Sequence, residues 1–513
     1  MTENTQEKPG LRRALQARHL SMLAIGGSIG TGLFLASGAT VASAGPGGAL
    51  LAYGLIGVMV YFLMTSLGEM AAFMPVSGSF QVYGSEFVDP AFGFALGWNY
   101  WYNWAVTIAV ELAAAAIIMH YWFPAYPGWW WSAGFLVLIF ALNYFSVKGF
   151  GEAEYWFSLL KVITIIAFIA IGVLMIAGIM RHPPVRGFAP GLSTFTYGAG
   201  PFVGGMPAFI GVAMIVGFSF QGTELIGVAA GESERPGQTI PRAVRQIFWR
   251  ILMFYALSIL VIGLILPYND PSLLKNGVED VGASPFTLVF QRAGLAFAAS
   301  LMNAVILTAV LSAGNSGMYA STRMLYTMAH NRMAPHLFSR LTANGVPRNA
   351  LYATALVACL CFLTSLANNN AVYLWLLNSS GMTGFIAWLG IAICHYRFRR
   401  SYVHQGYDLD SLHYRARWFP LGPLFAFALC LAIMLGQNYT AFMARQIDWN
   451  GIIATYIGIP LFALFWLGYK LKHKTRMIPL HRIRLAEHHR LLGLDDESVT
   501  GSRPDLDEST AVR

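Results

Sequence analysis

The chain has 513 residues, of which 56% are hydrophobic and only 11% charged, and its mean hydropathy is +0.55. That is too little charge to cover a soluble surface of this length, whereas lipid solvates apolar side chains directly. The net charge of +9 and pI near 9.3 do not form a nucleic-acid-binding patch, because Lys and Arg gather in alternate loops between long apolar runs. Those runs do not alternate in period two, which argues against a β-barrel and for helices.

In chain order, residues 1–18 form a polar arm with Lys8, Arg12, Arg13 and Arg18, without a convincing cleavage pattern after it. Residues 19–472 hold runs of the roughly 20 apolar residues that cross a bilayer. Their centres fall near residues 30, 60, 105, 137, 167, 218, 255, 307, 358, 384, 430 and 461, predicting an all-α polytopic protein of twelve transmembrane helices. Basic residues cluster on one side: the arm, then Arg235, Arg242, Arg245 and Arg250, then Arg332, Arg340 and Arg348, then Arg397 to Arg417, then the tail from Lys470. The opposite loops, about 181–206 and 268–284, are sparse in them, with Arg181, Arg186 and Lys275, beside Asp270, Glu279 and Asp280; Arg445 also lies on that side. The positive-inside rule then predicts both termini cytoplasmic. Residues 473–513 read as a cytoplasmic tail, with a short basic amphipathic helix at the inner leaflet over 479–494 and a disordered end. Cys359, Cys361, Cys394 and Cys430 form no CxxC pair and are expected to be buried free thiols.

A faint internal repeat organises the membrane region. Span 1 reads from Gly26 to Gly38 as GGSIGTGLFLASG, and span 6 reads from Gly217 to Gly231 as GFSFQGTELIGVAAG. Both place a Gly/Ser/Thr cluster in mid-span, five helices apart. Matching interruptions in two halves point to discontinuous helices in a five-plus-five inverted repeat; close helix packing through Gly26 and Gly30 is the competing use of these glycines. Unwound backbone has unpaired polar groups, which lipid forbids unless they line a cavity or meet a ligand.

At these residues the chain resembles the amino acid–polyamine–organocation superfamily, in its bacterial amino acid permease branch. Further motifs carry the likeness: Pro75 to Phe80 (PVSGSF), Gly149 to Trp156 (GFGEAEYW), Gly231 to Pro236 (GESERP), Ser312 to Tyr319 (SAGNSGMY) and Thr322 to Tyr326 (TRMLY). The stretches GFGEAEYWFSLLKV, VGFSFQGTELIG and YLWLLNSSGMTGFIAWLG are similar to lysine-carrying members of the branch. The resemblance spans roughly residues 10–475. It implies the five-plus-five fold with broken helices 1 and 6, helices 11 and 12 appended, and import of L-lysine with a proton by alternating access across the bacterial inner membrane. Protons, L-lysine and the lipid bilayer are then the partners; no cofactor and no nucleic acid is implied.

With an amino acid as cargo, a carboxylate and an ammonium must both be satisfied in a dry site. The half-helix after the break in span 1 offers free N–H groups and a positive dipole end, so Gly30, Thr31 and Gly32, with Ile29 in the break, suit the carboxylate. The carbonyls of Ser28, Phe218, Ser219 and Gln221 suit the ammonium, and the resemblance assigns the same poles. Phe218 or Phe220 caps the pocket as an aromatic gate; Glu232, in the charged stretch after span 6, is expected in a cytoplasmic gate.

Charges within spans are expensive and default to functional candidates. Glu111 shares one face of span 3 with Asn103 and Thr107, at i, i+4 and i+8, a polar stripe for the lysine side chain with the carboxylate on its ε-ammonium; an internal hydrogen bond is the competing role. Glu224 follows the span 6 break and is expected to brace the unwound backbone or gate it, with taking a proton or contacting the substrate as the other roles. Lys161 lies in span 5, where the resemblance implies that sodium-coupled relatives place an ion against spans 1 and 8. Burial disfavours a charged ammonium, so Lys161 is the expected proton-coupling group, partnered by Ser312, Asn315 and Ser316. Glu69 is expected at the membrane interface. His120, His330 and His395 lack metal-ligand spacing, and no Ser/His/Asp set, phosphate loop or haem motif argues for an enzyme. Two alternatives stand beside lysine import: another cargo (arginine, γ-aminobutyrate or an aromatic amino acid), and an amino-acid-binding membrane sensor or scaffold with a regulatory membrane partner protein.

Overall fold

The computed structural model describes residues 16–145, 147–180, 190–233, 236–274, 284–295, 298–366, 370–438, 441–442, 447 and 449–491. Outside them lie residues 1–15 of the arm, Arg181, Arg186, Arg235, the acidic loop with Lys275, Glu279 and Asp280, Arg445 and the tail beyond 491.

Regular structure among the described residues is helical: α1 Ala17–Ser28, α2 Thr31–Phe34, α3 Ala36–Phe73, α4 Ser79–Phe87, α5 Pro90–His120, α6 Gly128–Phe145 and α7 Val147–Ile176 come first. Then follow α8 Leu192–Phe195, α9 Gly205–Phe220, α10 Leu225–Ala229, α11 Pro236–Ile265, α12 Pro271–Leu274, α13 Pro285–Arg292, α14 Ala298–His330, α15 Arg348–Ala358 and α16 Cys361–Leu366. The last are α17 Asn370–His404, α18 Leu421–Gly436, α19 Trp449–Tyr456, α20 Gly458–His473 and α21 Leu485–Leu491. Seven are long and apolar enough to cross a membrane, counting α9 and α10 together, and the bent pair α19–α20 makes up to eight. The chain is a multi-pass membrane protein.

Local chemistry explains where the helices stop. Asp89 caps α5 by accepting from Ala91 N at 3.0 Å, and Pro90 occupies the first turn, where its missing N–H costs nothing. Within α3 the path kinks at Gly45, whose φ of +76° favours glycine and whose Cβ would lie 2.4 Å from Pro201 O. Helix α5 is almost wholly buried and forms the centre of the bundle, whereas only a minority of the residues of α6 and α7 are buried. On α7 that outer face is Trp156, Ile163, Ile166 and Val173, as a lipid-facing helix requires.

Some expectations change. Residue Glu69 is not at an interface but completely buried. Of the 479–494 stretch the described part, up to Leu491, is two pieces, a turn at Leu480–Arg482 and α21, and it packs on protein: Ile483 and Leu485 are buried and His489 stacks on Tyr407 at 4.1 Å. After the acidic loop, α13 buries Phe286, Val289 and Phe290, at i, i+3 and i+4. It covers one end of the first break, with Phe286 4.9 Å from Phe34 and Ser284 Oγ donating to Phe34 O at 2.7 Å. The four cysteines are free thiols, Cys359 partly exposed and the others buried.

Candidate functional site

The two interruptions fall where the glycine clusters stand. Helix α1 stops at Ser28, Ile29 turns extended, and α2 begins at Thr31 without a side-chain cap. Leu35 stays in the right-handed region, so α2 runs on into α3 as far as Gly45. Helix α9 stops at Phe220, Gln221 is extended, and Gly222 has φ +101°. The breaks touch through bare backbone: a Cβ on Gly222 would lie 2.4 Å from Gly27 O, and one on Gly32 would lie 2.5 Å from Ser219 Cα.

A helix end leaves carbonyls to be satisfied, and three of those at the end of α1 have different fates. Ile25 O accepts from Ile29 N and from Ser28 Oγ, both at 3.1 Å. Gly26 O accepts from Lys161 Nζ at 2.5 Å, a cation at a helix C-terminus, where the dipole favours it. The Tyr255 hydroxyl lies 2.9 Å from Ser28 O and 2.5 Å from Ser219 O, bridging the two breaks. A hydroxyl has one proton, so it satisfies one of these carbonyls at a time.

Gly27, Ser28, Gly30, Thr31 and Gly32 from the first break, Trp104, Thr107 and Glu111 from α5, Phe218 and Gln221 from the second break, and Ala313 from α14 surround a cavity of about 20 Å³. That is room for about one water. Glu111 is buried; its Oε1 accepts from Thr31 Oγ1 at 3.2 Å and its Oε2 has no hydrogen-bond partner among the described residues.

Other candidates sit beside the cavity. Asn103 turns to α17, donating to Ser380 O at 2.6 Å and Thr383 Oγ1 at 3.1 Å. Thr107 both lines the cavity and meets Ser380 Oγ at 2.6 Å. Phe220 is buried between Tyr53 and Tyr255, with centroids at 6.1 and 4.6 Å. Glu224 accepts from Gly222 N at 3.0 Å, Tyr100 OH at 3.2 Å and Trp388 Nε1 at 3.3 Å, which ties down the unwound stretch. Glu232 is fully buried and accepts from Arg323 Nε at 2.9 Å, with that guanidinium 4.2 Å from the Tyr319 ring centre.

Sequence reasoning overlooked Glu154. Ser312 Oγ donates to its Oε1 at 2.5 Å and Asn315 Nδ2 to its Oε2 at 3.1 Å, so these side chains reach Glu154 rather than Lys161. Glu154 and Glu111 are the carboxylates that act on the Lys161 charge. The signal was present: Glu154 and Lys161 are seven apart on one helix, hence on one face. Arg323 also had a signal, a lone cation in an apolar run, whereas Tyr255 had none. Among the described residues no group of three or more His, Cys, Asp or Glu is placed to hold a metal.

A helical membrane body whose interrupted helices meet at a small polar cavity beside a buried lysine has the architecture of a solute carrier. The chain belongs to the amino acid permease family, whose model matches residues 19–481. It is 68% identical to the lysine-specific permease of Escherichia coli strain K12, over 94% of this chain and 98% of that protein. It is 51% identical to the lysine-specific permease of Lactococcus lactis subsp. cremoris, over 95% of each, and 51% identical to the histidine permease of that organism, over 93% and 98%. Equal identity to carriers named for two cargoes means that overall likeness at this level does not select a substrate.

Proposed function

We propose that this protein is a secondary active permease of the bacterial inner membrane that imports L-lysine with a proton by alternating access. The observation that carries the reading is Glu111, a buried carboxylate with one oxygen unpartnered on a cavity built from two helix breaks. Such an oxygen is expensive to leave unmatched, and a substrate ammonium would match it. The choice of lysine rests on the 68% identical relative.

The N–H groups of Gly30, Thr31 and Gly32 bind the substrate carboxylate, with Ile29 giving the break its turn. The carbonyls of Ser28, Phe218, Ser219 and Gln221 take the α-ammonium. Its three protons can satisfy the two carbonyls that share the single proton of Tyr255. Glu111 takes the ε-ammonium, with Thr107 beside it and Asn103 holding α5 to α17. Glu224 braces the second break. A cavity of about 20 Å³ must widen to admit an amino acid. Phe220 and the Glu232–Arg323 pair gate the inner side, while α13 covers the outer side.

Proton coupling runs through Lys161. Charged, it holds the end of α1 to α7 through Gly26 O; neutral, it loses the attraction of that helix end and of Glu154, and α1 is freed to tilt. Ser312 and Asn315 keep Glu154 in position. The fold behind this is twelve helices in a five-plus-five inverted repeat with two appended. Up to eight spans, three shorter apolar helices, and the broken first helix divided from the second at Gly45 support that count. Both termini are cytoplasmic, with a short arm over 1–18, the transport body over 19–472 and a tail over 473–513.

The test is uptake by purified protein in liposomes. Labelled lysine should accumulate when the outside is acidic, and competition with arginine, histidine, γ-aminobutyrate and an aromatic amino acid should leave lysine preferred. Lys161→Ala should lower accumulation to background while lysine binding persists. Uptake indifferent to an imposed proton gradient, or normal accumulation in the variant, defeats the coupling.

A further inference from the structure

A second, larger concavity lies away from the transport site, between α5, the end of α14 and α20. Its volume is about 640 Å³, against about 20 Å³ for the site at the breaks. Its wall is aromatic, with Trp98, Trp101 and Phe465 among the lining, and its rim carries Arg332, Lys472 and His473. The indoles are held in place: Trp98 Nε1 donates to Met333 O at 3.3 Å and Trp101 Nε1 to Thr354 Oγ1 at 3.1 Å. The outer surface of α20 beside it is lipid-like, with Leu464, Leu467 and Leu471 all more than half exposed.

The rim is cationic in an unusual way. Helix α14 ends in a turn where Met333 N donates to Met328 O at 2.8 Å and Arg332 N to Ala329 O at 3.2 Å. This pattern calls for a left-handed residue at the position after the cap, normally glycine. Here that residue is Arg332, with φ +59°. Helix α20 is capped by Lys474, also left-handed, with φ +51°. Among the described residues only three non-glycine residues have positive φ, and two of them are the basic residues ending the helices that flank this groove. The dipole explains basic residues in a last turn; it does not explain a strained arginine where glycine is easier. Strain of this kind accumulates where a side chain is needed. Lys470 is engaged internally with Asp89 Oδ2 at 2.8 Å, while Arg332 and Lys472 make no ion pair among the described residues.

We propose that this groove is a binding site for one anionic phospholipid. The phosphodiester sits between Arg332, Lys472 and His473, and an acyl chain runs along the Trp98, Trp101 and Phe465 wall. A basic rim at the end of membrane helices above an apolar trough matches the two ends of such a lipid. The site is independent of which amino acid is carried.

The experiment measures thermal unfolding and native mass spectra of the full chain in detergent, with dioleoyl-phosphatidylglycerol, dioleoyl-phosphatidylcholine or inorganic phosphate added. Phosphatidylglycerol should remain bound and raise the midpoint, and the other two should not. Arg332→Gly and Lys472→Gln should each weaken the lipid effect about fivefold, the weight of one cation near a membrane anion. Arg332→Gly should leave the lipid-free midpoint unchanged or raise it, because glycine suits that turn, so a loss of lipid there is not a loss of fold. Equal effects of both lipids, undiminished phosphatidylglycerol binding in both variants, or equal protection by inorganic phosphate would overturn the proposal.

Discussion

Two buried carboxylates, Glu69 on α3 and Glu111 on α5, differ in the company they keep. Glu69 receives both Arg399 Nε at 2.6 Å and Arg399 Nη2, together with Ala416 N at 2.7 Å, and His395 Nε2 lies 3.3 Å away. Glu111 receives a single neutral donor, Thr31 Oγ1. Both are removed from water. A fully satisfied charge in a dry interior fixes one arrangement, whereas a half-satisfied one is a deficit that a ligand can fill. Glu69 is therefore tied into the frame, whereas Glu111 is the acid proposed above to meet the substrate, although both are acids within long apolar helices.

Removing one partner from the saturated cluster should have the largest effect. Glu69→Ala leaves Arg399 buried and uncompensated, a loss of about 3–5 kcal/mol. The yield of monodisperse protein and its unfolding midpoint should both fall sharply. A midpoint equal to that of the parent would erase the distinction between the two acids.

Glu111→Gln should act differently, keeping the fold and losing cargo. A hydrogen bond to a charged group contributes about 1.5–3 kcal/mol, so lysine binding should weaken about tenfold to a hundredfold. Neutral amino acids should lose much less, and the unfolding midpoint without substrate should not drop. Isothermal titration beside a melting curve separates the two roles; equal losses for charged and neutral ligands would make Glu111 part of the frame.

The smallest effect is expected at Lys470, paired with Asp89 where α5 begins. Partial burial pushes the Asp89 carboxyl upward, but the hydrogen bonds from Lys470 and Ala91 N outweigh it and hold the group below the usual carboxylate range. A lowered folded value means that the contribution is present above about pH 4 and fades only as pH falls further. Since Lys470 is about a third exposed, Lys470→Gln should destabilise by less than about 1 kcal/mol. The shift in midpoint should be constant between pH 5 and 8.

The helical membrane body was legible from apolar runs, and both interruptions were legible because matching Gly/Ser/Thr clusters recur in mid-span five helices apart; glycine density alone fits close helix packing equally well. The partners of each charge were not. Periodicity puts Asn103, Thr107 and Glu111 on one face, but α5 is so deeply buried that one face meets several neighbours. Asn103 bonds Ser380 on α17, while Glu111 bonds Thr31 near the first break. Tyr255 bridges carbonyls from residues 227 and 36 positions away in the chain. No local pattern encodes such a meeting, which exists only once α1, α9 and α11 are packed. Glu69 was misjudged for a similar reason: its partners are Arg399 and Ala416, over 300 residues later.

The backbone contact between Gly27 and Gly222 also bears on how carriers of this kind diverge. Part of the cavity wall, at Gly27, Gly30 and Gly32, has no side chain to exchange, and even one carbon added at Gly32, or at Gly222 in the facing break, would collide with the opposite stretch of backbone. For the substrate site proposed above, side-chain exchange is therefore left to the rest of the lining, among it Thr107, Glu111, Phe218 and Gln221. On that proposal the glycine backbone facing the substrate carboxylate is closed to variation, and the positions that carry side chains are open to it.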